Sequence, residues 1–397
     1  MKEAFDFDKE YGIVLEGGGA KGAYQIGVWK AFLECGVKIK GVAGVSVGAL
    51  NGALICMGDY EKAVEIWKNI SYSRIMNVDD KQMEKLINGK FMELSLQTAR
   101  EESRRFFVGG GLDVTPLRQL IDENVDEKTI KESDIEFVMG TFSVSNMKEV
   151  AISAEEAEIG YLKDYLMASS YFPLFKNEKL HGKKYLDGGI VNNVPIDMLI
   201  NRGYKEIIVV RIYGIGVEKK VKIPEDVNVI YLAPKVRLCN ILDFNKEKAA
   251  RNITLGYYDT MRVLRSLAGK QYYIEAQGSE KDYLNSLLQP DEGLIRELQL
   301  FFKRENNIVK STIRIITEDI YPLLASNLKL DKKWDYIDLY FAILEYCAKR
   351  LKIKKFKIYS ENEFCHLLQE KITEKHQNDA ESDIIMNLAL SIIEKQF

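Results

Sequence analysis

Residues 11–57 read YGIVLEGGGAKGAYQIGVWKAFLECGVKIKGVAGVSVGALNGALICM and decide the fold. They hold two glycine-rich turns, at residues 17–22 and 44–48. Each turn follows a short apolar run and precedes a pattern typical of a helix. Strand, helix, strand and helix in this order predict a parallel sheet covered by helices.

The second turn has the pattern Gly-x-Ser-x-Gly, with Ser46 two residues from Gly44 and two from Gly48. This is the pattern of a nucleophile elbow between a strand and a helix. Glycines are needed because the turn is tight and the helix passes close to the strand. The serine then lies at the edge of the sheet, near the positive end of a helix. We therefore predict that Ser46 is a nucleophile.

The first turn reads Gly17-Gly18-Gly19-Ala20-Lys21-Gly22. On a strand next to Ser46, it would direct several backbone N–H groups at one point, as an oxyanion hole requires. Gly-x-Gly-x-x-Gly after a strand also fits a dinucleotide site. That site needs an acidic residue at the end of the second strand, where this chain has Ser46. A phosphate-binding P-loop is disfavoured, because Lys21 is not followed by Ser or Thr.

A serine nucleophile needs a base. The chain has three histidines, at positions 181, 366 and 376. His181 precedes a Gly-Lys-Lys turn, and the other two lie in a charged C-terminal region. Asp187 is the better candidate, because it follows a short predicted strand and precedes Gly188 and Gly189. The alternative is that this Asp-Gly-Gly is an ordinary turn.

The composition bounds the class of protein. A chain of 397 residues with 46% hydrophobic and 29% charged residues fits one large or two ordinary globular domains. A net charge of -3 gives no general attraction to nucleic acid. Five scattered cysteines indicate reduced, buried thiols. We predict a cytoplasmic protein without signal peptide or transmembrane segment. The sequence does not indicate an oligomeric state.

The rest of the chain divides into three kinds of segment. Strands are predicted at residues 135–143, 149–153, 184–186, 206–213 and 228–233. A charged helical insertion is predicted at residues 59–131. It forms either a lid or acyl-chain wall of the site or a solvated helical layer. Within it, Thr115 is the expected N-cap of a helix. From about residue 271 the pattern is helical, which predicts a C-terminal module at 271–397. Its basic run at 350–357 is a candidate contact for acidic lipid surfaces, the alternative being a solvated face.

Together these motifs resemble the patatin-like phospholipase family. The resemblance is carried by Gly17–Gly22, Gly44–Gly48 and Asp187–Gly189 in that order, with residues 168–173 and 192–195 beside them. It covers about residues 8–270. It implies a three-layer α/β/α fold with a mainly parallel central sheet, and hydrolysis of lipid acyl esters without metal or cofactor. Tyr171 departs from the family, which usually has a small residue there, and this concerns the mouth of the site.

Carried over residue by residue, the resemblance makes Ser46 the nucleophile and Asp187 the base of a dyad without histidine. Residues 17–20 would bound the oxyanion loop, and Lys21 matches a basic position of the family. We therefore expect a serine acylhydrolase acting on lipid esters, whose pH profile lacks an imidazole limb near about pH 6–7. Two alternatives remain: a Ser-Asp-His esterase on soluble esters using His366 or His376, and a non-catalytic lipid-binding protein on the same fold.

Overall fold

A computed structural model describes residues 5–87, 111–303, 310–378 and 383–394. The chain forms two compact units, Phe5–Leu264 and Arg265–Phe397. The division lies a few residues before the boundary that the sequence predicts at residue 270. Each unit has its own core and is described by itself.

The first unit is built on a central sheet, and the fold class predicted from the sequence is confirmed. Its strands are β1 (Glu10–Leu15), β2 (Lys38–Val45), β3 (Glu136–Ser143), β4 (Lys148–Ser153), β5 (Tyr185–Asp187), β6 (Glu206–Val210) and β7 (Asn228–Leu232). Strands β3, β2, β1, β6 and β7 run parallel in that spatial order. Strands β4 and β5 are antiparallel to β3. The inner strands are nearly continuous buried runs because helices cover both faces of the sheet.

The described helices of this unit lie between and after its strands, and the first two directly follow the glycine turns, as predicted. They are α1 (Ala23–Cys35), α2 (Val47–Met57), α3 (Tyr60–Lys68), α4 (Asp80–Ile87), α5 (Thr115–Asn124), α6 (Glu127–Lys131), α7 (Leu162–Ser169), α8 (Ile196–Ile200) and α9 (Lys246–Leu264). Helix α1 packs closely on α9, since a methyl group on Gly27 would lie 1.9 Å from the Ile253 carbonyl oxygen. Short 3₁₀ turns occupy Gly19–Gly22 and Gly188–Ile190.

The described part of the insertion at residues 59–131 is mainly helical, in α3 to α6. Residues 88–110 of the insertion lie outside the described residues. The assignment of Thr115 as an N-cap is wrong, because Thr115 is the first residue of α5. The Asp113 carboxylate accepts the Thr115 N–H at 3.0 Å and its hydroxyl at 2.7 Å.

The second unit is mainly helical, as predicted. Its helices are α10 (Glu280–Leu287), α11 (Glu292–Phe301), α12 (Thr312–Arg314), α13 (Tyr321–Asn327), α14 (Tyr336–Arg350), α15 (Glu361–Asn378) and α16 (Ile384–Ile393), with a π-helical turn at Ile315–Ile320. The sequence did not predict the short parallel strands β8 (Tyr273–Glu275) and β9 (Ile358–Ser360). Helix α16 buries an apolar face formed by Ile385, Leu388, Ile392 and Ile393.

The basic run at residues 350–357 is partly neutralised within this unit. Arg350 pairs with Asp383 at 3.2 Å, and Lys357 pairs with Glu363. Its contact with a lipid surface stays a prediction. In the described part of the chain, each helix is too short or too polar to cross a bilayer. Of the cysteines, Cys35 and Cys239 are partly exposed rather than buried.

Candidate active site

The turn between β2 and α2 presents Ser46. Its φ of 55° and ψ of −126° lie in a region that non-glycine residues rarely adopt. The glycines on either side make the turn possible: a methyl group on Gly48 would lie 2.2 Å from the Leu15 carbonyl oxygen. One on Gly44 would lie 2.4 Å from the Gly48 carbonyl. The strand-to-helix turn thus has the close approach that the sequence pattern predicts.

Ser169, at the end of α7, holds the backbone of this turn. Its Oγ accepts the Ser46 N–H at 2.9 Å and donates to the Gly140 carbonyl at 2.7 Å. The side chain is fully buried. Since a buried backbone group without a partner costs free energy, this hydroxyl stabilises the strained turn. The sequence marked Ser169 only as part of residues 168–173 and assigned it no role.

The register of β3 brings Asp187 to Ser46. Strand β2 ends with Val45 paired to Gly140, and the next β3 residue, Thr141, pairs with Asp187. Strand β4 occupies the other edge of this part of β3, so β5 continues the edge on which β2 ends. The Ser46 side chain consequently lies beside the Asp187 carboxylate, close enough to affect the pKa of that carboxyl group.

Asp187 is 5% exposed. Burial raises the pKa of its carboxyl group to about 6, against the opposing effect of hydrogen bonds from Ser46 and from the Gly189 N–H. The Gly189 N–H lies 2.8 Å from Oδ1, and the Asp187 N–H donates to the Tyr171 carbonyl at 2.8 Å. Position 188 requires glycine because the chain passes close to β3 there: a methyl group on Gly188 would lie 2.6 Å from the Gly140 carbonyl oxygen. The geometry suits a carboxylate that exchanges a proton with Ser46.

The first glycine turn lies beside Ser46, but its four candidate donors are not equivalent. Gly17 donates its N–H to the Asn193 carbonyl at 3.2 Å, and Ala20 donates to the Ile241 carbonyl at 2.8 Å. Gly18 and Gly19 line the cavity that contains Ser46. Their N–H groups have no acceptor among the residues that the structure describes. The structure therefore narrows the candidate oxyanion donors to these two.

A buried carboxylate that the sequence analysis missed organises the other side of this turn. Glu16 accepts N–H groups from Ile212 at 2.6 Å and from Tyr213 and Gly214 at 3.0 Å. It also accepts Arg211 Nε at 3.0 Å. The sequence did contain a signal for the role of Glu16, because an acidic residue directly after an apolar strand is unusual. Glu16 fastens the segment after β6 to the glycine turn.

Asn193 and Lys21 complete this scaffold. Asn193 Nδ2 donates to the Gly17 carbonyl at 3.1 Å and lies 3.4 Å from Glu16 Oε1. The Lys21 ammonium donates to the Tyr213 carbonyl, and burial lowers the pKa of Lys21. At the end of the turn, the Gly22 carbonyl accepts Asn51 Nδ2 at 3.0 Å. The basic residue of the motif thus holds the backbone of a neighbouring loop.

An apolar cavity opens beside Ser46 and Asp187. Its walls include Trp67 and Ile70 in and after α3, the α5 residues Leu117, Leu120 and Ile121, and Phe172, Phe175, Ile215 and Phe244. The helical insertion therefore supplies part of a cavity wall rather than a fully solvated layer. Tyr171 does not border the cavity; it is 1% exposed and packed in the core. Tyr171, where the patatin-like family usually has a small residue, therefore does not shape the mouth of the cavity, contrary to the sequence-based expectation.

The histidines have other contacts. His181 Nε2 lies 2.7 Å from Asp164 Oδ2, and its ring packs 3.6 Å from that of Tyr161. In the second unit, His366 pairs with Glu370 at 3.5 Å. Within the described ranges, the cavity lining includes no histidine.

Comparison with known proteins matches residues 13–200 to the family model Patatin-like phospholipase. A patatin-like phospholipase domain is therefore present. This domain holds both Ser46 and Asp187, and the resemblance drawn from the motifs is confirmed.

Curated relatives match the same part of the chain. Neuropathy target esterase sws of Drosophila melanogaster is 29% identical over 215 residues, which is 50% of this chain and 12% of that protein. Patatin-like phospholipase domain-containing protein 7 of Rattus norvegicus is 26% identical over 199 residues, 50% of this chain and 13% of that protein. The chain thus spans only about an eighth of the length of these relatives.

A solved structure, VipD from Legionella pneumophila, aligns with 97% of this chain and 91% of its own. The TM-score is 0.41 and the identity 15%.

Proposed function

We propose that this protein is a serine acylhydrolase that cleaves acyl ester bonds of phospholipids or related lipids. The observation that supports it most is that Ser46 lies beside the buried Asp187 carboxylate and that both residues line an apolar cavity. The patatin-like phospholipase domain around this pair supports the same substrate class. The relatives' names, an esterase and a phospholipase domain-containing protein, agree with it.

In the proposed reaction, Asp187 accepts the proton of Ser46 while Oγ attacks the acyl carbonyl carbon. The oxyanion that forms accepts hydrogen bonds from the N–H groups of Gly18 and Gly19. Asp187 then gives the proton to the leaving alcohol as the ester bond breaks, which leaves the acyl group on Ser46. A water molecule, deprotonated by Asp187, attacks this acyl-enzyme, and the fatty acid departs as Ser46 regains its proton.

Three features of the site suit this chemistry. A carboxyl group with a pKa of about 6 gains and loses a proton more readily near neutral pH than an ordinary aspartate does. The cavity walls are mostly apolar, so an acyl chain is bound by the removal of its surface from water. The oxyanion donors are backbone groups on a glycine turn that Glu16 and Asn193 hold in place, so they are arranged before the reaction begins.

The proposal is tested by labelling with a fluorophosphonate probe and by release of fatty acid from phosphatidylcholine. We expect the probe to be attached to Ser46 by peptide mass analysis, and the Ser46→Ala variant to be neither labelled nor active. Asp187→Asn should lose nearly all turnover while keeping its fold by circular dichroism. A folded wild-type protein that neither takes the label nor releases fatty acid would favour the non-catalytic lipid-binding alternative.

A further inference from the structure

The segment that follows β6, residues 213–217, exposes three apolar side chains. Tyr213, Ile215 and Val217 are 55%, 68% and 52% exposed. Ile215 also lines the cavity that holds Ser46. We call residues 213–217 the mouth loop, since it joins that cavity to the protein surface.

The exposure of these side chains is not that of a frayed loop, because the backbone is fixed at both ends. At the beginning, Glu16 accepts the N–H groups of Tyr213 and Gly214 at 3.0 Å. At the end, the Val217 N–H donates to the Gly189 carbonyl at 2.8 Å, and the Val217 carbonyl accepts the Asn193 N–H at 2.7 Å. The mouth loop is thus attached to both the glycine turn and the Asp-Gly-Gly turn.

A basic stretch follows the loop. Lys219 is paired with Glu149 and Asp197. Lys220 and Lys222 are exposed and form no ion pair within the described residues. Apolar side chains next to free ammonium groups match a bilayer interface, where acyl chains lie directly below phosphate groups.

We propose that the mouth loop is a membrane-contact surface, which inserts Tyr213, Ile215 and Val217 into the interface of a phospholipid bilayer. The choice of a lipid surface as the partner rests on the proposed function, since the substrate would then enter the cavity past Ile215. Binding at this loop places the cavity mouth against the bilayer, so an acyl chain moves from lipid to protein without crossing water.

The test uses the Asp187→Asn protein, so that vesicles are not degraded and binding is measured without turnover. Sedimentation with phosphatidylcholine vesicles is measured for two proteins. One carries Asp187→Asn alone, and the other carries Asp187→Asn together with Tyr213→Ser and Val217→Ser. The salt is about 0.5 M NaCl, which screens the exposed lysines. The matched control adds Met147→Ser and Ile159→Ser to Asp187→Asn. These two apolar side chains are 75% and 88% exposed and do not line the cavity.

We expect the mouth-loop substitutions to weaken vesicle binding by about tenfold or more, from the apolar area that they remove. The control substitutions should leave binding unchanged, and thermal unfolding should show all three proteins folded. Equal binding by the three proteins, or no sedimentation of Asp187→Asn, would overturn the proposal. A mouth-loop variant that instead converts a dimer to a monomer in light scattering would also overturn it, since a second copy would then cover the loop. Failure of Ser46 labelling in the wild type, with vesicle binding intact, would count against the proposed reaction alone.

Discussion

Val45 and Asp187 occupy successive places along one edge of β3, which puts Ser46, the residue after Val45, beside Asp187. Val45, the residue before Ser46, pairs with Gly140, and Asp187 pairs with the next residue, Thr141. A parallel strand and an antiparallel strand thus meet end to end on a single neighbour. The distance between the Ser46 and Asp187 side chains is therefore set by the residue spacing along β3, and it does not depend on the conformation of a long loop.

The first prediction is that turnover does not depend on histidine. Replacement of His181, His366 and His376 together by Gln should leave most ester hydrolysis, because the cavity lining has no histidine within the described ranges. The change at His181 removes a partly exposed ion pair with Asp164 and should cost at most about 1 kcal/mol of stability. Ester turnover is compared with that of Asp187→Asn. Loss of activity in the triple variant would support the Ser-Asp-His alternative.

The second prediction concerns pH and adds a rising limb set by Asp187 to the sequence-based expectation that no limb is set by an imidazole. Asp187 acts as a base when it is ionised, and burial raises its pKa to about 6. Activity should therefore rise as pH increases through about 6, although no imidazole takes part. This limb coincides with that of a histidine, so the profile is measured in the triple-histidine variant as well. A limb that disappears in that variant would contradict its assignment to Asp187.

The third prediction is that Ser169→Ala harms both stability and turnover. The change leaves the buried Ser46 N–H and the Gly140 carbonyl without the hydroxyl that joins them, at a cost of about 1–3 kcal/mol. Relaxation of the elbow should lower kcat by roughly tenfold or more, equivalent to about 1.4 kcal/mol. Urea unfolding and steady-state kinetics measure the two effects.

The matched control is Ser153→Ala. Ser153 is also buried, at the end of β4, where its Oγ accepts the Glu155 N–H at 3.3 Å. That variant should lose some stability but keep its kcat. Equal kcat values for the two variants would show that Ser169 has no role in positioning the elbow.

The fourth prediction is that Glu16→Gln loosens the glycine turn. An amide has one acceptor oxygen, whereas the Glu16 carboxylate uses both oxygens for the backbone N–H groups of residues 212–214. We expect a loss of about 2–4 kcal/mol of unfolding free energy and a lower kcat. Glu218→Gln is the control, because Glu218 is the exposed partner of the same Arg211 and should contribute less than about 1 kcal/mol. Similar losses in both variants would argue against a special role for Glu16.

The fifth prediction assigns chain-length preference to α5. Leu120 lines the cavity, and Leu120→Trp should shorten the space for an acyl chain. The ratio of kcat/KM for palmitoyl to butyryl esters should fall by about tenfold or more, given the free energy of each methylene group in an apolar pocket. Gln119→Trp, on the exposed side of the same helix, should leave the ratio unchanged. A constant ratio in Leu120→Trp would place the acyl chain elsewhere.

Local patterns in the sequence were sufficient for much of the first unit. The strands β1 to β4 and the helices α1 and α2 lie within a few residues of their predicted positions, because glycine turns and apolar periodicity act over short distances. The cap of α5 was misassigned by one residue, since Val114 is the N-cap and the Asp113 carboxylate accepts the Thr115 N–H, which the preference of threonine for caps does not reveal. Strands β8 and β9 were missed because each has three residues and pairs with a partner far along the chain.

The sequence by itself determined that Ser46 lies on a strand-to-helix turn, and that a second glycine turn follows the adjacent strand. Those features depend on residues within one turn of each other, where backbone sterics leave few conformations. Only the tertiary structure decided that Asp187 lies beside Ser46 and that Glu16 and Ser169 hold the two turns. It also decided that the N–H groups of Gly18 and Gly19 have no acceptor among the described residues. These depend on strand register and on buried hydrogen bonds between residues more than a hundred positions apart, which no local pattern specifies.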